Sequence, residues 1–257
     1  MSPSTLNTNV ASTLLFGSIA GMCEHLAVLP FRNQIDVKQF LSASQLDPKR
    51  TFTHGIAPTI LGSGLAHIGL YACFHQSIRE TDPSRILAWG ALGSLSHLCF
   101  HIPGDTIRMR ANILQCDTKT AIRHIYQTAG VRGFFAGIVP SLLMGLPAGI
   151  VEFLVINSIF QRFGQDGITP FVAGGIAGIC SSLLVSPLDT IKTFIQLQGV
   201  PSQYVGQHTF RQLIKYIYVT RSLRGFFRGM WLRAISSAIG YGTFGALANA
   251  FGIPDAE

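Results

Sequence analysis

Asp105 and Arg108 stand three residues apart, as do Asp189 and Lys192. On a helix that spacing puts each acid and base on one face. A proline, Pro103 or Pro187, stands two residues before each acid. Acid and base at this spacing are ion-pair chemistry. A third proline, Pro30, follows a similar apolar run, but Arg32 and Ile35 stand where the acid and base belong. Further ionisable residues interrupt apolar stretches: Glu24, His25, His67, His97, His101 and Glu152. Such groups are functional candidates inside a membrane, because burying them unpaired is costly. Together they could make a proton- or metal-responsive cavity. The plainer reading is that the histidines bond helix backbone or water. No catalytic reading survives: there is no nucleophile elbow, phosphate-cradling glycine loop or close-spaced metal-ligand cluster. No cofactor is expected.

The elements that position these residues are membrane helices. The 257 residues are 48% hydrophobic and 12% charged, against about a quarter charged in soluble domains. Six apolar stretches of spanning length can be drawn, at about 8–37, 56–78, 85–107, 138–161, 168–191 and 231–252. No cleavable signal or Arg-rich transit peptide is expected from the polar, uncharged start. Of the 19 Lys and Arg, 15 lie in or beside the loops after the first, third and fifth stretches. The positive-inside rule puts those odd loops on the inner side and both termini outside. Charge that flanks membrane spans argues against nucleic-acid binding. The five cysteines include no CxxC pair and read as small packing residues. Trp89 and Trp231 fit interfacial anchoring.

Aligning the three prolines exposes a threefold repeat, approximately 8–80, 81–163 and 164–252, within a single domain over residues 1–257. Thirteen residues before each proline sits Gly17, Gly90 or Gly174, and nine before sits Gly21, Ser94 or Gly178. This small-xxx-small spacing would let helix backbones approach closely. Nine residues after each proline sits an amide: Gln39, Asn112 or Gln196. A marker containing Gly55, Gly137 or Gly229 opens each even helix. The expected fold is all-α: six transmembrane helices in three pseudo-threefold pairs. Pro30, Pro103 and Pro187 should kink the odd helices. Apolar spacing predicts short surface helices over Lys119–Gly130 and Phe210–Ser222. The first odd loop looks too short for a comparable helix.

The segments Pro103–Arg108 and Pro187–Lys192 resemble the Px[DE]xx[KR] signature of the mitochondrial carrier family, and the resemblance covers essentially the whole chain. It implies a multi-pass inner mitochondrial membrane protein that works by alternating access, with termini toward the intermembrane space. It also implies a matrix-side gate in which the acid of one odd helix pairs with the base of the next. Asp105 should then face Lys192. Arg108 would need an acid at position 32 and Asp189 a base at position 35, so one pair of three is expected, with Asp189 left to reach Arg32 or Lys38. A second, cytosolic network in the family would fall on Phe74-His75, Ile156-Asn157 and Ala248-Asn249, with bases expected at Ile78, Phe160 and Gly252. None of these positions offers a charge pair. Anionic lipid, cardiolipin in such a membrane, is the expected partner at the matrix-side helix ends.

The same resemblance implies substrate contacts at Gly62, Ser63, Met144, Gly145, Ser236 and Ser237. All are neutral, which argues against a nucleotide or a di- or tricarboxylate. Leu65–Phe74, around His67, resembles the iron carriers of the family, and Met144 suits their second contact position. Two readings stay open. One is a divergent carrier-like protein with altered or lost transport, serving as an accessory or structural subunit of a larger inner-membrane complex. The other is an active carrier of a small neutral, cationic or metal solute.

Overall fold

The computed structural model describes residues 10–40, 55–77, 82–164, 168–197 and 210–250. Six long helices carry the fold: α1 (Val10–Phe40), α2 (Ile56–Ser77), α3 (Pro83–Leu114), α5 (Ile138–Phe163), α6 (Thr169–Gln196) and α8 (Met230–Ala250). Two short helices, α4 (Thr118–Ala129) and α7 (Phe210–Arg221), lie between them. Each is followed by a 3-10 turn, at Val131–Phe135 and Leu223–Phe227. No strand occurs among the described residues. The all-α architecture expected from the repeat is therefore observed. The first odd loop lies outside the described residues.

Local chemistry explains the helix boundaries. At the start of α3, the Asp82 carboxylate accepts from the Ser84 backbone N–H at 2.9 Å, and Pro83 occupies the first turn. The marker glycines all take the left-handed conformation, with φ of 79° at Gly55, 85° at Gly137 and 85° at Gly229. That conformation costs a side chain roughly 1–2 kcal/mol, which explains why the marker keeps a glycine. The short helices are amphipathic. α4 buries Ala121 and Ile125 and exposes Ile122, Arg123 and Tyr126. α7 buries Leu213 and Ile217 under the ends of α3 and α6, in a cluster with Met109, Ile113, Ile191 and Phe194. The Arg221 guanidinium caps this cluster, 5.3 Å from the Phe194 ring centre.

The long helices pack in chain order, with α8 closing back onto α1. One close backbone approach among the described residues lies away from the glycine spacing. A Cβ built on Gly104 of α3 would lie 2.7 Å from the Pro58 carbonyl oxygen and 3.0 Å from Gly62 Cα of α2. Gly17 instead makes room for the Tyr71 ring, and Gly90 meets nothing within 4 Å. Pro30, Pro103 and Pro187 all lie inside continuous helices, as does Pro147 of α5. Three stretches qualify as membrane spans by length and composition among the described residues: Ile56–Cys73, Val131–Phe163 and Thr169–Gln196. In α1, α3 and α8 the apolar character is diluted by the polar groups that build the interior, including Glu24, Asp36, Asp105, Arg108 and Arg233.

Candidate functional site: an ion-paired floor beneath a polar cavity

A chain of ion pairs joins the C-terminal halves of α1, α3 and α6. Lys192 donates to Asp105 Oδ2 at 3.0 Å. Asp105 Oδ1 accepts from Arg108 Nη2 at 2.9 Å and Nε at 3.1 Å. Arg108 Nη1 reaches across to α1, donating to Asp36 Oδ2 at 2.7 Å and Asn33 Oδ1 at 2.6 Å. Asn33, Asp36, Asp105 and Arg108 are all buried. A buried guanidinium keeps its charge, so satisfying its donors with carboxylates is the arrangement that offsets desolvation. Asp189 pairs with Arg233 of α8.

These contacts correct the expected gate. One pair of three was expected, and the Asp105–Lys192 pair is present. Arg108 also has an acid from the first helix, four residues beyond the signature position. Four residues is one helical turn, so Asp36 occupies nearly the same face as position 32, one step nearer the helix end. The base for Asp189 comes from α8; Arg32 makes no ion pair with Asp189 among the described residues. The Lys38 side chain lies outside the description. Asp36 was legible as a one-turn shift of the signature. Arg233 carried no comparable signal.

The repeated amides brace the same level. Asn112 donates to the Asn33 carbonyl of α1 at 2.9 Å, and Gln196 donates to Thr106 Oγ1 of α3 at 3.0 Å. Each amide thus ties its helix to the preceding odd helix. The marker glycines lean on the bases of the next repeat. A Cβ on Gly55 would collide with the Arg108 side chain, and one on Gly137 would lie 3.2 Å from Lys192 Cγ.

Above this floor lies a cavity of about 330 Å³. Met144, Gly145, Glu152, Ser236 and Ser237 line it, as do Glu24, Arg32, His97 and His101. Gly62 and Ser63 face a separate side pocket of about 10 Å³, room for roughly one water, beside Arg32, His101 and Arg108. Ser63 also donates to the Thr59 carbonyl at 2.7 Å. His67 is buried, its Nδ1 donating to the Ser63 carbonyl at 2.8 Å. So of the eight sequence-derived contact candidates (Gly62, Ser63, His67, Met144, Gly145, Glu152, Ser236 and Ser237), five share the main cavity: Met144, Gly145, Glu152, Ser236 and Ser237. The side chains at His75, Asn157 and Asn249, and so the expected outer network, lie outside the description.

The structure gathers His25, His67, His97 and His101 where α1, α2 and α3 meet. Ring centres are 4.9 Å apart for His25–His101 and 5.1 Å for His67–His97. His25 Nδ1 is 2.9 Å from the Gly21 carbonyl, and its Nε2 is 3.0 Å from His101 Nε2. A neutral His25 that donates from Nδ1 must accept at Nε2, so His101 is the donor between them. Among the described residues, no set of three or more His, Cys, Asp or Glu has the geometry to hold a metal ion. The backbone bonds of His25 and His67 match the plainer expectation, while the His25–His101 contact was part of neither.

The family model described as "Mitochondrial carrier protein" matches residues 78–167 and 165–250. The chain belongs to the mitochondrial carrier family. The matched segments hold the second and third prolines, whose motifs carry the full signature. The chain is similar to "Mitochondrial RNA-splicing protein MRS4" of Saccharomyces cerevisiae, 24% identical over 88% of this chain and 85% of that protein. Human "Mitoferrin-1" is 23% identical over 93% of this chain and 82% of that protein. The "Mitochondrial glycine transporter" of Xenopus tropicalis is 29% identical over 70% of this chain and 64% of that protein. As a mitochondrial carrier the chain falls among transporters, in a mitochondrial membrane. The ion-paired floor and the cavity above it occupy the interior of this carrier fold.

Proposed function

We propose that this protein is an alternating-access carrier of the inner mitochondrial membrane, seen with its matrix side closed and its termini toward the intermembrane space. The observation that carries this reading is the continuous ion network from Asp36 through Arg108 and Asp105 to Lys192, which floors a cavity of about 330 Å³. That volume suits a small solute. Alternation needs a latch worth only a few kcal/mol, which a second state can match. A buried ion network meets that need, because desolvation offsets much of its Coulombic attraction.

The solute class is a small neutral, cationic or metal species, since the even-helix contact positions Gly62, Ser63, Met144, Gly145, Ser236 and Ser237 are uncharged. A relative named as a glycine transporter supports a small solute with no net charge. The alternative, a carrier-derived accessory subunit without transport, rested on missing gate charges. Asp36 and Arg233 supply two of those partners, which weakens that ground. The exposed basic residues of α4 and α7, such as Arg123, Arg211 and Lys215, support anionic lipid as a partner on the matrix side.

Counter-exchange in proteoliposomes tests the proposal, using radiolabelled glycine, basic amino acids, amines and divalent metals. The carrier reading expects exchange that Asp105→Ala reduces at least tenfold. Absence of exchange for every solute, with the native protein recovered only in a stoichiometric complex, supports the accessory reading instead.

A further inference from the structure

The charges around the cavity do not balance at any one level. At the floor stand three acids, Asp36, Asp105 and Asp189, and four bases, Arg32, Arg108, Lys192 and Arg233. Every acid is engaged by a base other than Arg32: Arg108 holds Asp36, Arg108 and Lys192 share Asp105, and Arg233 holds Asp189. Arg32 is therefore the surplus cation, four bases against three acids. It lines the main cavity and the side pocket together, and among the described residues no carboxylate lies within ion-pair distance of it. In the other two repeats this position is an acid committed to the gate, Asp105 or Asp189. Here the reversed charge is free to face the cavity.

Higher in the same cavity the sign inverts. Glu24 of α1 and Glu152 of α5 both line it. Glu24 has no cation within ion-pair distance among the described residues. It lies against Gly240 of α8, where a Cβ would come within 3.4 Å of its Oε1. The glycine thus leaves the carboxylate its place on the wall. Glu24 and Arg32 are eight residues apart on one helix, a rise of about 12 Å. Both side chains tilt toward the N-terminus, so that rise is roughly the spacing of the two charged levels. The cavity is dipolar along its axis, positive at the floor and negative midway.

We infer that the cavity binds a zwitterionic solute of amino-acid size, its carboxylate held by Arg32 and its cationic end by Glu24 and Glu152. A guanidinium is suited to the first role, because its donor fork matches both oxygens of a carboxylate. A dipolar solute neutralises both levels at once. A simple cation leaves Arg32 unsatisfied, and a dicarboxylate meets two acids above it. The inference rests on the carrier reading and names the substrate class of the same cavity.

The test compares solutes that differ by one charged end: lysine, cadaverine, 6-aminohexanoate and hexanoate, each as radiolabelled counter-exchange in proteoliposomes of the full chain. Lysine or 6-aminohexanoate should exchange at least tenfold faster than cadaverine or hexanoate. Arg32→Gln should remove that preference by slowing the zwitterions tenfold or more, and Arg32→Lys should restore part of it. Arg32→Gln breaks no ion pair, so its thermal unfolding in detergent should match the parent, which separates binding from a structural role. Exchange of cadaverine or a divalent metal in preference to both zwitterions overturns the inference and leaves the carrier reading standing. So does zwitterion exchange unaffected by Arg32→Gln. No exchange of any solute overturns both.

Discussion

Asp105 and Asp189 occupy the same place in their repeats, two residues after a helix proline and three before a base, yet they are used differently. Asp105 is buried and takes one cation from its own helix and one from α6. Asp189 is half-buried and is satisfied within its own repeat, by Arg233 of α8. The inner end is thus cross-linked from α1 to α3 through Asp36–Arg108, and from α3 to α6 through Asp105–Lys192. No ion pair joins α6 back to α1 there among the described residues. A threefold architecture thus has unequal joins at this level: among the described residues two are electrostatic and the third has no ion pair. In the alternating-access reading proposed above, opening breaks the two charged joins, while Arg32 at the third lines the cavity without an ion pair among the described residues.

The largest effect should come from Asp105→Ala. It strands two cations, Arg108 and Lys192, and should destabilise the protein by about 3–5 kcal/mol, read as a lowered midpoint of thermal unfolding in detergent. Asp36→Asn should cost less, about 1.5–3 kcal/mol, because Arg108 keeps Asp105 and Asn33. If Asp36→Asn left stability unchanged, the α1–α3 join would not be electrostatic. Asp189→Asn should cost only about 1 kcal/mol, since that pair stays within one repeat and both partners remain partly accessible from the cavity. A loss as large as that of Asp105→Ala would make the three joins equivalent and break the contrast.

The smallest effect concerns α4, which tucks beneath the charged joins. His124 Nδ1 lies 3.1 Å from Arg110 Nη1, and partial burial together with that guanidinium lowers its pKa from 6.5. The folded protein then binds fewer protons than the unfolded chain, so stability falls as pH drops below 6.5. His124→Gln should make the decline slightly shallower, measurable as the difference in unfolding midpoint between pH 7.5 and 5.5.

Much of this was legible from residue spacing. The glycines and amides were visible as repeated positions, and the structure gave them their roles: three left-handed turns at the glycines, and braces to the preceding odd helix at Asn112 and Gln196. The amphipathic surface helices appeared within a residue or two of where their periodicity set them. The Asp105–Lys192 pair was expected from the resemblance to the carrier family, which implies that the acid of one odd helix pairs with the base of the next. The small-xxx-small spacing was less reliable: Gly104 and Gly62, from different patterns, make the close approach, and Gly90 meets nothing. Spacing identifies a narrow helix face but leaves open which neighbour stands opposite it.

The sequence by itself determined the repeat, the all-α class and the glycines that open the even helices, because these depend on contacts a few residues apart or on patterns repeated along the chain, and its resemblance to the carrier family pointed to one ion pair. Only the tertiary structure decided that Asp36 replaces the missing acid, that Arg233 takes Asp189, and that Arg32 and Glu24 line one cavity. Those choices turn on which side chains from separate helices come within about 3–4 Å, a distance fixed by how the helices pack and free to differ in each repeat.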